Sequence, residues 1–279
     1  MIVYFNGRFI EKEEVRISPD DRGFLFADGT YEVVRIYRGK PFRLQDHLSR
    51  FANSLAQIGL SLPDLSDLNA VTDGLIRKNG MEEAEAALYL QVTRGAAPRH
   101  HPFPDPGTPP TVYAAVSPVA PPHRKWADGV KAILLPDLRW GRCDIKSISL
   151  LANVLAAQRA KEAGAEEAIF LRDGVVTEGS HTNVAAAFGT SLWTHPVGTS
   201  ILDGITRDVV LGLCSELAIP VVEEPIPENR FRRSDEIMIL GTSTEIMPVV
   251  RLDDAPVGTG KPGPLAGRLQ KAFFNLTRS

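Results

Sequence analysis

Two short turns, each set between strand-like apolar runs, constrain the fold of this chain more than any other feature of its sequence. They are Asn6-Gly7 and Asp173-Gly174. Asn-Gly and Asp-Gly readily adopt the positive φ angles that a tight type I′ turn requires, so both turns predict β-hairpins. Hairpins join antiparallel strands, and helical patterns recur between them. The sequence therefore predicts an α+β fold with mixed sheets and flanking helices, rather than a parallel doubly wound sheet.

The spacing of apolar residues predicts the remaining elements. An alternating or continuous apolar pattern predicts strands at 30–37, 42–44, 88–94, 111–116, 130–136, 167–171, 184–188 and 236–240. A period of about 3.6 residues predicts helices at 45–59, 66–78, 150–164, 204–217 and 265–276, with Thr206 as a cap of the fourth. The proline-rich segment that follows residue 117 is typical of a linker. We therefore expect an N-terminal domain at 1–117, a linker at 118–123 and a C-terminal domain at 124–279.

Length and composition limit the classes to which the protein can belong. With 279 residues and 43% hydrophobic content, the chain can bury a large core. Its net charge of −3 disfavours nucleic acid or an anionic membrane as the main partner. It has neither a secretion signal nor an apolar run of roughly 18 residues, so we expect a cytoplasmic protein. Cys143 and Cys214 lack the spacing of a metal site, so we expect reduced thiols and no metal.

Lys146 is the first candidate for chemistry, because it lies between the predicted strand 130–136 and the predicted helix 150–164. A buried lysine is costly, and such residues commonly serve as nucleophiles or Schiff-base amines. The alternative is an ordinary surface lysine in a loop. Ser147 or Ser149 is expected to cap the helix. The apolar stripe of that helix is expected to face the core and contains Leu150, Leu151, Val154 and Leu155.

Further polar clusters match what pyridoxal phosphate requires of a protein. Its aldehyde needs an amine, here Lys146, and its pyridine nitrogen needs a buried carboxylate, for which Glu178 is the candidate. Its phosphate needs N–H groups at a helix N-terminus together with hydroxyls, which 204–206 at the start of a predicted helix and Gly241-Thr242 after a predicted strand could supply between them. Arg50 is available to add a guanidinium. Taken singly, each of these residues also fits an ordinary role as a turn residue, cap, bulge or solvated charge.

Seven short motifs occur along the chain and together are more specific than any one of them. They are Tyr31-Glu-Val-Val, Gln91-Val-Thr-Arg-Gly95, Pro98-Arg99-x-His101, Arg139-Trp-x-Arg-Cys-Asp-Ile-Lys-Ser147, Thr177-Glu-Gly-Ser180, Gly204-Ile-Thr-Arg-Asp208 and Glu245-Ile-x-Pro-Val249. In this order they resemble the landmarks of the fold-type IV pyridoxal-phosphate enzymes. That family includes branched-chain aminotransferases, aminodeoxychorismate lyases and D-amino-acid transaminases. The resemblance runs from about Tyr4 to Phe273 and is strongest to the D-amino-acid transaminases.

The resemblance implies a two-domain fold and a role for individual residues toward pyridoxal 5'-phosphate. Lys146 would form the Schiff base with the cofactor, and Glu178 would pair with its pyridine nitrogen. Leu202 would lie against the ring. The phosphate would be held by Arg50, Ile205, Thr206 and Thr242. Three residues, His181, Thr182 and Gly241, depart from the family pattern. One or two contacts to the phosphate or to the ring oxygen are therefore expected to be lost.

The resemblance also implies how a substrate is bound. Tyr31, Arg99 and His101 would bind the substrate α-carboxylate, with Arg99 and His101 supplied by the partner subunit of a homodimer. An arginine fork matches a carboxylate through two hydrogen bonds, which supports the role of Arg99 independently.

The activity that follows is the transfer of an amino group between a D-amino acid and a 2-oxo acid, pyruvate or 2-oxoglutarate, through a Schiff base of pyridoxal phosphate. Three alternatives keep the cofactor: a branched-chain L-amino-acid transaminase, an (R)-amine transaminase and an aminodeoxychorismate lyase. A fourth belongs to a different class, namely a non-catalytic ligand-binding protein that kept the fold.

Overall fold

A computed structural model of the chain describes residues 1–60 and 67–278. The chain forms two compact units. The first consists of Met1–Ala120 and Ile145–Leu150, and the second of Pro121–Asp144 and Leu151–Ser279. The short segment that contains Lys146 thus belongs to the first unit, although the residues on both sides of it belong to the second. The predicted domains at 1–117 and 124–279, and the predicted linker at 118–123, stay predictions.

The described part of the first unit contains a six-stranded antiparallel sheet in the order β2-β1-β6-β5-β3-β4. Asn6 and Gly7 have φ angles of 45° and 86°, and the strands on either side of them pair, which confirms the first predicted hairpin. In chain order the strands are β1 (Ile2–Phe5), β2 (Arg8–Glu11), β3 (Gly29–Tyr37), β4 (Lys40–Pro41), β5 (Ala86–Thr93) and β6 (Thr111–Pro118).

Helices and one short 3-10 turn (Lys12–Glu14) complete the described part of the first unit. The helices are α1 (Arg22–Phe26), α2 (Leu44–Gln57) and α3 (Asp67–Lys78). Leu48, Phe51 and Leu55 of α2 are buried in a core shared with β3, β5 and β6, which confirms the helical spacing. The strand predicted at 42–44 is wrong, because Arg43 adopts a left-handed conformation and α2 begins at Leu44. The start predicted for α3 at Ser66 lies outside the described residues.

Ten strands among the described residues of the second unit form a mixed sheet, as predicted. They are β7 (Val130–Pro136), β8 (Glu167–Arg172), β9 (Val175–Gly179), β10 (Asn183–Phe188), β11 (Ser191–Thr194), β12 (Val221–Glu223), β13 (Ile226–Pro227), β14 (Glu236–Gly241), β15 (Glu245–Leu252) and β16 (Ala255–Pro256). Strand β7 runs parallel to β8 and β15, whereas β14 and β15 are antiparallel. The order is β12-β11-β10-β14-β15-β7-β8-β9-β13, and one further pairing, Asn183 with Glu178, joins β10 to β9. That pairing closes a ring of six strands.

The helices of the second unit correct two details predicted from sequence. They are α4 (His123–Asp128), α5 (Leu151–Glu162), α6 (Ile205–Glu216), α7 (Glu228–Phe231) and α8 (Pro264–Arg278). Helix α5 begins too late for Ser147 or Ser149 to be its N-cap. The N-cap of α6 is Gly204, so the predicted cap Thr206 lies inside the first turn. Within the described ranges, no helix has both the length and the apolar character needed to cross a lipid bilayer.

The apolar stripe of α5 does not face the core of this chain, so that prediction is wrong. Leu151, Val154 and Leu155 are 72%, 58% and 59% exposed. The buried side of the helix carries the small residues Ala156 and Ala160, which pack in one cluster with residues of β7 and β8. Periodicity identified the apolar side of the helix, but small side chains make the contact with the sheet.

Candidate active site

Lys146 lies in an irregular segment between β7 and α5 that runs beside the first residues of β3. Its carbonyl oxygen accepts a hydrogen bond from the N–H of Tyr31 at 3.0 Å. Its own N–H donates to Oγ of Ser54 at 3.2 Å. The side chain is half-buried, with Nζ 4.6 Å from the centroid of the Tyr31 ring. The structure therefore brings together two of the predicted site residues, Lys146 and Tyr31.

Glu32, the next residue of β3, lies in a buried charged cluster with two residues of α2. It accepts hydrogen bonds from Nε and Nη2 of Arg50, at 2.7 and 2.8 Å, and from Nδ1 of His47 at 2.8 Å. Burial alone would raise the pKa of Glu32, but the charge of Arg50 and the hydrogen bonds from His47 and Arg50 outweigh it, and the pKa falls to about 2. Arg50, the predicted phosphate ligand, is thus oriented by a carboxylate that stays ionised.

This cluster predicts a loss of stability in acid. Because the folded pKa of Glu32 lies near 2 and its ordinary value is 4.5, the unfolded chain binds the proton first as the pH falls. The stabilisation is complete above pH 4.5 and is lost toward pH 2, with about 2 kcal/mol lost between pH 6 and pH 3. Urea unfolding of the wild type and of Glu32→Gln at several pH values measures this. We expect the difference in unfolding free energy between the two proteins to shrink in acid, and a constant difference would contradict the argument.

Arg99 and His101 lie on the irregular loop between β5 and β6. Both side chains are exposed in the single chain. They contact the same aromatic ring, since the guanidinium carbon of Arg99 and the imidazole of His101 lie 5.2 and 5.4 Å from the centroid of Phe26. The loop therefore presents two basic side chains together at the surface of the first unit, a combination suited to binding a carboxylate.

In the second unit, Glu178 lies near the end of β9 as a buried side chain surrounded by hydrogen-bond donors. Oε1 accepts a short hydrogen bond from Arg139, and Oε2 accepts from Nδ2 of Asn183 at 3.2 Å and from the N–H of Leu202 at 3.0 Å. Burial alone would lower the pKa of Arg139, but its bonds to Asp137 and Glu178 raise it, so the guanidinium stays charged. Glu178 is thus held in one orientation by three residues from different parts of the unit, and one of them, Leu202, is the residue predicted to lie against the cofactor ring.

Helix α6 begins with the predicted phosphate contacts Ile205 and Thr206. Its N-cap is Gly204, which has no side chain to occupy the first N–H groups of the helix. A Cβ atom at Gly204 would lie 1.9 Å from Oδ1 of Asn183, so any larger residue there would displace the Asn183 side chain. An uncapped helix N-terminus favours an anion such as phosphate. The other predicted contact, Thr242, is half-buried in the turn between β14 and β15.

The three residues that depart from the family pattern have structural partners in the second unit. Oγ1 of Thr182 donates to the fully buried Glu167 at 2.7 Å. Oγ of Ser180 donates to the same carboxylate. A Cβ atom at Gly241 would lie 3.3 Å from the methyl group of Thr182, so threonine at 182 and glycine at 241 suit each other sterically. His181 is exposed and reaches Oε2 of Glu167 at 3.1 Å.

Several residues of the site were not assigned from the sequence. Glu178 is held in place, directly or through one another, by Asp137, Arg139 and Asn183. Arg50 is held in the same way by Glu32 and His47. Arg139 belonged to a recognised motif, which was the available signal. Glu32 offered another, because it lies on the buried face of an amphipathic strand where an unpaired carboxylate would be costly.

Comparison with known proteins agrees with these features. The family model for amino-transferase class IV matches residues 29–252. The D-alanine aminotransferase of Bacillus licheniformis is 44% identical over 276 residues, which cover 99% of this chain and 96% of that protein. The structure of the Escherichia coli branched-chain amino acid aminotransferase matches with a TM-score of 0.90 at 26% identity, covering 99% of this chain and 94% of that one. The branched-chain aminotransferase of Thermoproteus uzoniensis with norvaline matches with a TM-score of 0.88, again at 26% identity and with coverages of 99% and 94%.

Each unit, taken by itself, contains residues whose chemistry suits pyridoxal 5'-phosphate, the cofactor of this fold-type IV family. The first unit supplies the amine of Lys146 beside an aromatic ring. The second supplies the oriented carboxylate of Glu178 and the uncapped N-terminus of α6. The family match spans most of the chain, and the similarity to the Bacillus licheniformis enzyme runs almost from end to end. The chain belongs to the class IV aminotransferase family and is a pyridoxal-phosphate-dependent aminotransferase.

Proposed function

We propose that this enzyme is a D-amino-acid transaminase, which transfers the amino group of a D-amino acid such as D-alanine to pyruvate or 2-oxoglutarate. The proposal rests mainly on the 44% identity to a D-alanine aminotransferase over 99% of the chain. The branched-chain alternative rests on structural neighbours at 26% identity and is therefore less well supported. Arg99 and His101, exposed together on one loop, give independent support for an amino acid substrate that carries a carboxylate.

The proposed cofactor contacts are those that the resemblance implies. Lys146 would be joined to the cofactor aldehyde, and Glu178 would face the pyridine nitrogen. Leu202 would lie against the ring. The phosphate would be bound by Arg50, Ile205, Thr206 and Thr242. The uncapped N-terminus of α6 and the fixed orientation of Arg50 support this assignment, because the first offers backbone N–H donors and the second holds a guanidinium in one direction before any anion arrives.

When bound, the cofactor supplies an aldehyde that captures the substrate amine and a ring that accepts the electron pair left at Cα. Nζ of Lys146, as a free amine, would take the proton from Cα of the donor and return it to C4′ of the cofactor. Glu178 would keep a proton on the pyridine nitrogen, and Arg139, Asn183 and the Leu202 N–H hold Glu178 itself in position.

The stereochemical preference would follow from the position of the substrate carboxylate. Lys146 can remove a proton from one face only, so the side on which the carboxylate is bound decides whether a D or an L substrate presents its Cα proton. We propose that Tyr31, Arg99 and His101 hold the carboxylate on the side that admits D-amino acids. Tyr31 already lies beside Lys146, as this role requires.

We also propose a homodimer, in which Arg99 and His101 of one subunit serve the site of the other. Two groups of exposed residues support it. Arg99 and His101 are exposed in the single chain. The apolar stripe of Leu151, Val154 and Leu155 on α5 is not covered by the core, as expected of a surface that a second copy buries. We place the enzyme in the cytoplasm, which agrees with Cys143 and Cys214 being free thiols.

A donor screen tests the proposed activity. Purified enzyme is given 2-oxoglutarate with D-alanine, L-leucine or (R)-1-phenylethylamine, and the products are resolved by chiral chromatography. We expect kcat/KM for D-alanine to exceed that for either other donor by at least about 100-fold, because a site built to bind a carboxylate on one side penalises both. Activity confined to L-leucine would overturn the proposal in favour of the branched-chain alternative. Release of pyruvate from aminodeoxychorismate without an amino acceptor would favour the lyase.

A further inference from the structure

The loop at residues 95–107, which carries Arg99 and His101, does not position itself. None of these thirteen residues belongs to a helix or strand. Its four prolines (98, 102, 104 and 106) restrict φ and remove N–H donors, but they do not determine where the loop lies on the unit. The directions of Arg99 and His101 therefore depend on contacts supplied from outside the loop.

Arg22 supplies the central contact. It is the first residue of α1 and is only 4% exposed. Its Nη1 donates to the carbonyl oxygens of His100 at 2.6 Å and Pro102 at 3.3 Å, and its Nη2 donates to that of His101 at 3.2 Å. A guanidinium holds its donors in a rigid planar fork, so three consecutive carbonyl groups are fixed by one side chain. The backbone on both sides of His101 is thereby held.

Asp28 and Arg94 hold Arg22 in turn. Oδ2 of Asp28 accepts from Nε of both Arg22 and Arg94 at 2.8 Å, and Oδ1 accepts from Nη2 of Arg94 at 2.9 Å. Burial alone would raise the pKa of Asp28, but the two arginines lower it, so the carboxylate stays charged. Arg94 also donates to two carbonyl groups that follow α2, and its guanidinium carbon lies 3.7 Å from the centroid of Phe103 in the loop.

Phe26 contacts the side chains of the loop directly. It lies four residues after Arg22 on α1, so both project from one face of the helix. Its ring centroid is 4.8 Å from the guanidinium carbon of Arg22, in addition to its contacts with Arg99 and His101. We call this set of residues the loop brace; it consists of Arg22, Phe26, Asp28 and Arg94.

We propose that the loop brace positions Arg99 and His101, and so sets the affinity of the enzyme for the α-carboxylate of its amino acid substrate. The inference rests on the proposed function, since it presumes that this loop binds the carboxylate. The four residues act through the loop and are positioning residues. An arginine fork binds a carboxylate through two hydrogen bonds only when it is correctly aimed, and a fork held in place beforehand loses less entropy on binding.

Steady-state kinetics of Arg22→Gln test the proposal. The variant loses the fork that holds the three carbonyl groups, so we expect KM for D-alanine to rise about 10- to 100-fold while kcat falls less than about 3-fold. Arg22→Lys keeps the charge without the fork, so its KM for D-alanine should lie between those of Arg22→Gln and the wild type. Arg16→Gln is the matched control, because this exposed arginine of the same unit also donates to two backbone carbonyl groups, those of Glu13 and Val15. Its KM should stay within about 2-fold of the wild type.

Two further measurements separate positioning from a general loss of structure. Amide hydrogen exchange of the peptide containing 95–107 should accelerate in Arg22→Gln, while the thermal midpoint and the affinity for pyridoxal phosphate change little. A lower thermal midpoint and kcat with an unchanged KM would overturn the proposal. If Arg22→Gln does not fold, Phe26→Leu decides, with KM expected to rise about 5-fold and an unchanged KM counting against the brace.

Failure of the brace can be distinguished from failure of the proposed function by Arg99→Gln. If Arg99→Gln raises KM for D-alanine and Arg22→Gln does not, the loop binds the carboxylate without help from the brace. If Arg99→Gln leaves KM for D-alanine unchanged, the loop does not bind the carboxylate, and the role of the brace fails while the transaminase activity stands. If the wild type does not use D-alanine, the proposed function fails, and the role of the brace in carboxylate binding fails with it.

Discussion

Replacing Lys146 with alanine is expected to abolish transamination, with kcat lower by roughly 10⁴-fold or more. The variant would lose both the amine that joins the cofactor and the base that moves the Cα proton. The half-reaction with D-alanine, followed by the change in cofactor absorbance in a stopped-flow instrument, measures the loss. Borohydride reduction and peptide mapping give an independent readout, since a pyridoxyl group should be found at residue 146 in the wild type and be absent from the variant.

Lys161→Ala is the matched control, because Lys161 is an exposed lysine on α5 and should retain full activity. Residual activity of Lys146→Ala above about one hundredth of the wild type would mean that another group is the base. Mixing Lys146→Ala with Arg99→Gln chains extends the test to the dimer. A mixed dimer contains one site with both residues intact, so random exchange of subunits should restore about a quarter of the wild-type activity. No recovery would contradict action between subunits.

Replacing Glu178 with glutamine is expected to reduce kcat by about 10²- to 10³-fold. A neutral amide cannot favour the protonated pyridine, so the ring accepts electrons less readily when Lys146 takes the proton. The NH2 group of the amide would also face Arg139, Asn183 or the Leu202 N–H. All three groups donate hydrogen bonds to Glu178, so a donor placed against them has no acceptor. We therefore expect a stability cost of about 1 to 3 kcal/mol, which is smaller in consequence than the kinetic effect.

Glu236→Gln is the control for burial of a carboxylate in the same unit. Glu236 accepts hydrogen bonds from the N–H groups of Leu265 and Ala266 at the start of α8, so its replacement should lower the thermal midpoint and leave kcat close to the wild type. Pre-steady-state rates with D-alanine and thermal unfolding distinguish the two variants. A kcat for Glu178→Gln within about 5-fold of the wild type would show that another group protonates the ring.

Sequence reasoning succeeded where the determinants are local. The Asn6-Gly7 turn and the apolar spacing of α2 predicted the first hairpin and the first long helix, because both patterns act over a few residues. The same reasoning failed for α5. Periodicity shows which side of a helix is apolar, but it does not show whether the core of the same chain or another molecule covers that side. The exposed stripe of Leu151, Val154 and Leu155 is the result.

The partners of the site residues were beyond reach for a different reason. Arg139 pairs with Glu178 across 39 positions of the sequence, and Arg22 reaches the carbonyl group of His100 across 78. No local pattern predicts which carboxylate or carbonyl group an arginine meets at such separations. The motifs identified the residues expected to touch cofactor or substrate, whereas the residues that aim them emerged from the three-dimensional arrangement alone.

The course of the chain restricts how this enzyme can be divided. A fragment that stops at Ala120 would keep Tyr31 and the whole of β3 yet be missing Lys146, and the complementary fragment would carry that lysine without the strand its segment runs beside. Gene truncation or a protease cut at this point therefore cannot yield a self-sufficient catalytic half. Restoring function from two such pieces would require the six residues Ile145–Leu150 to find their strand again across a break in the polypeptide.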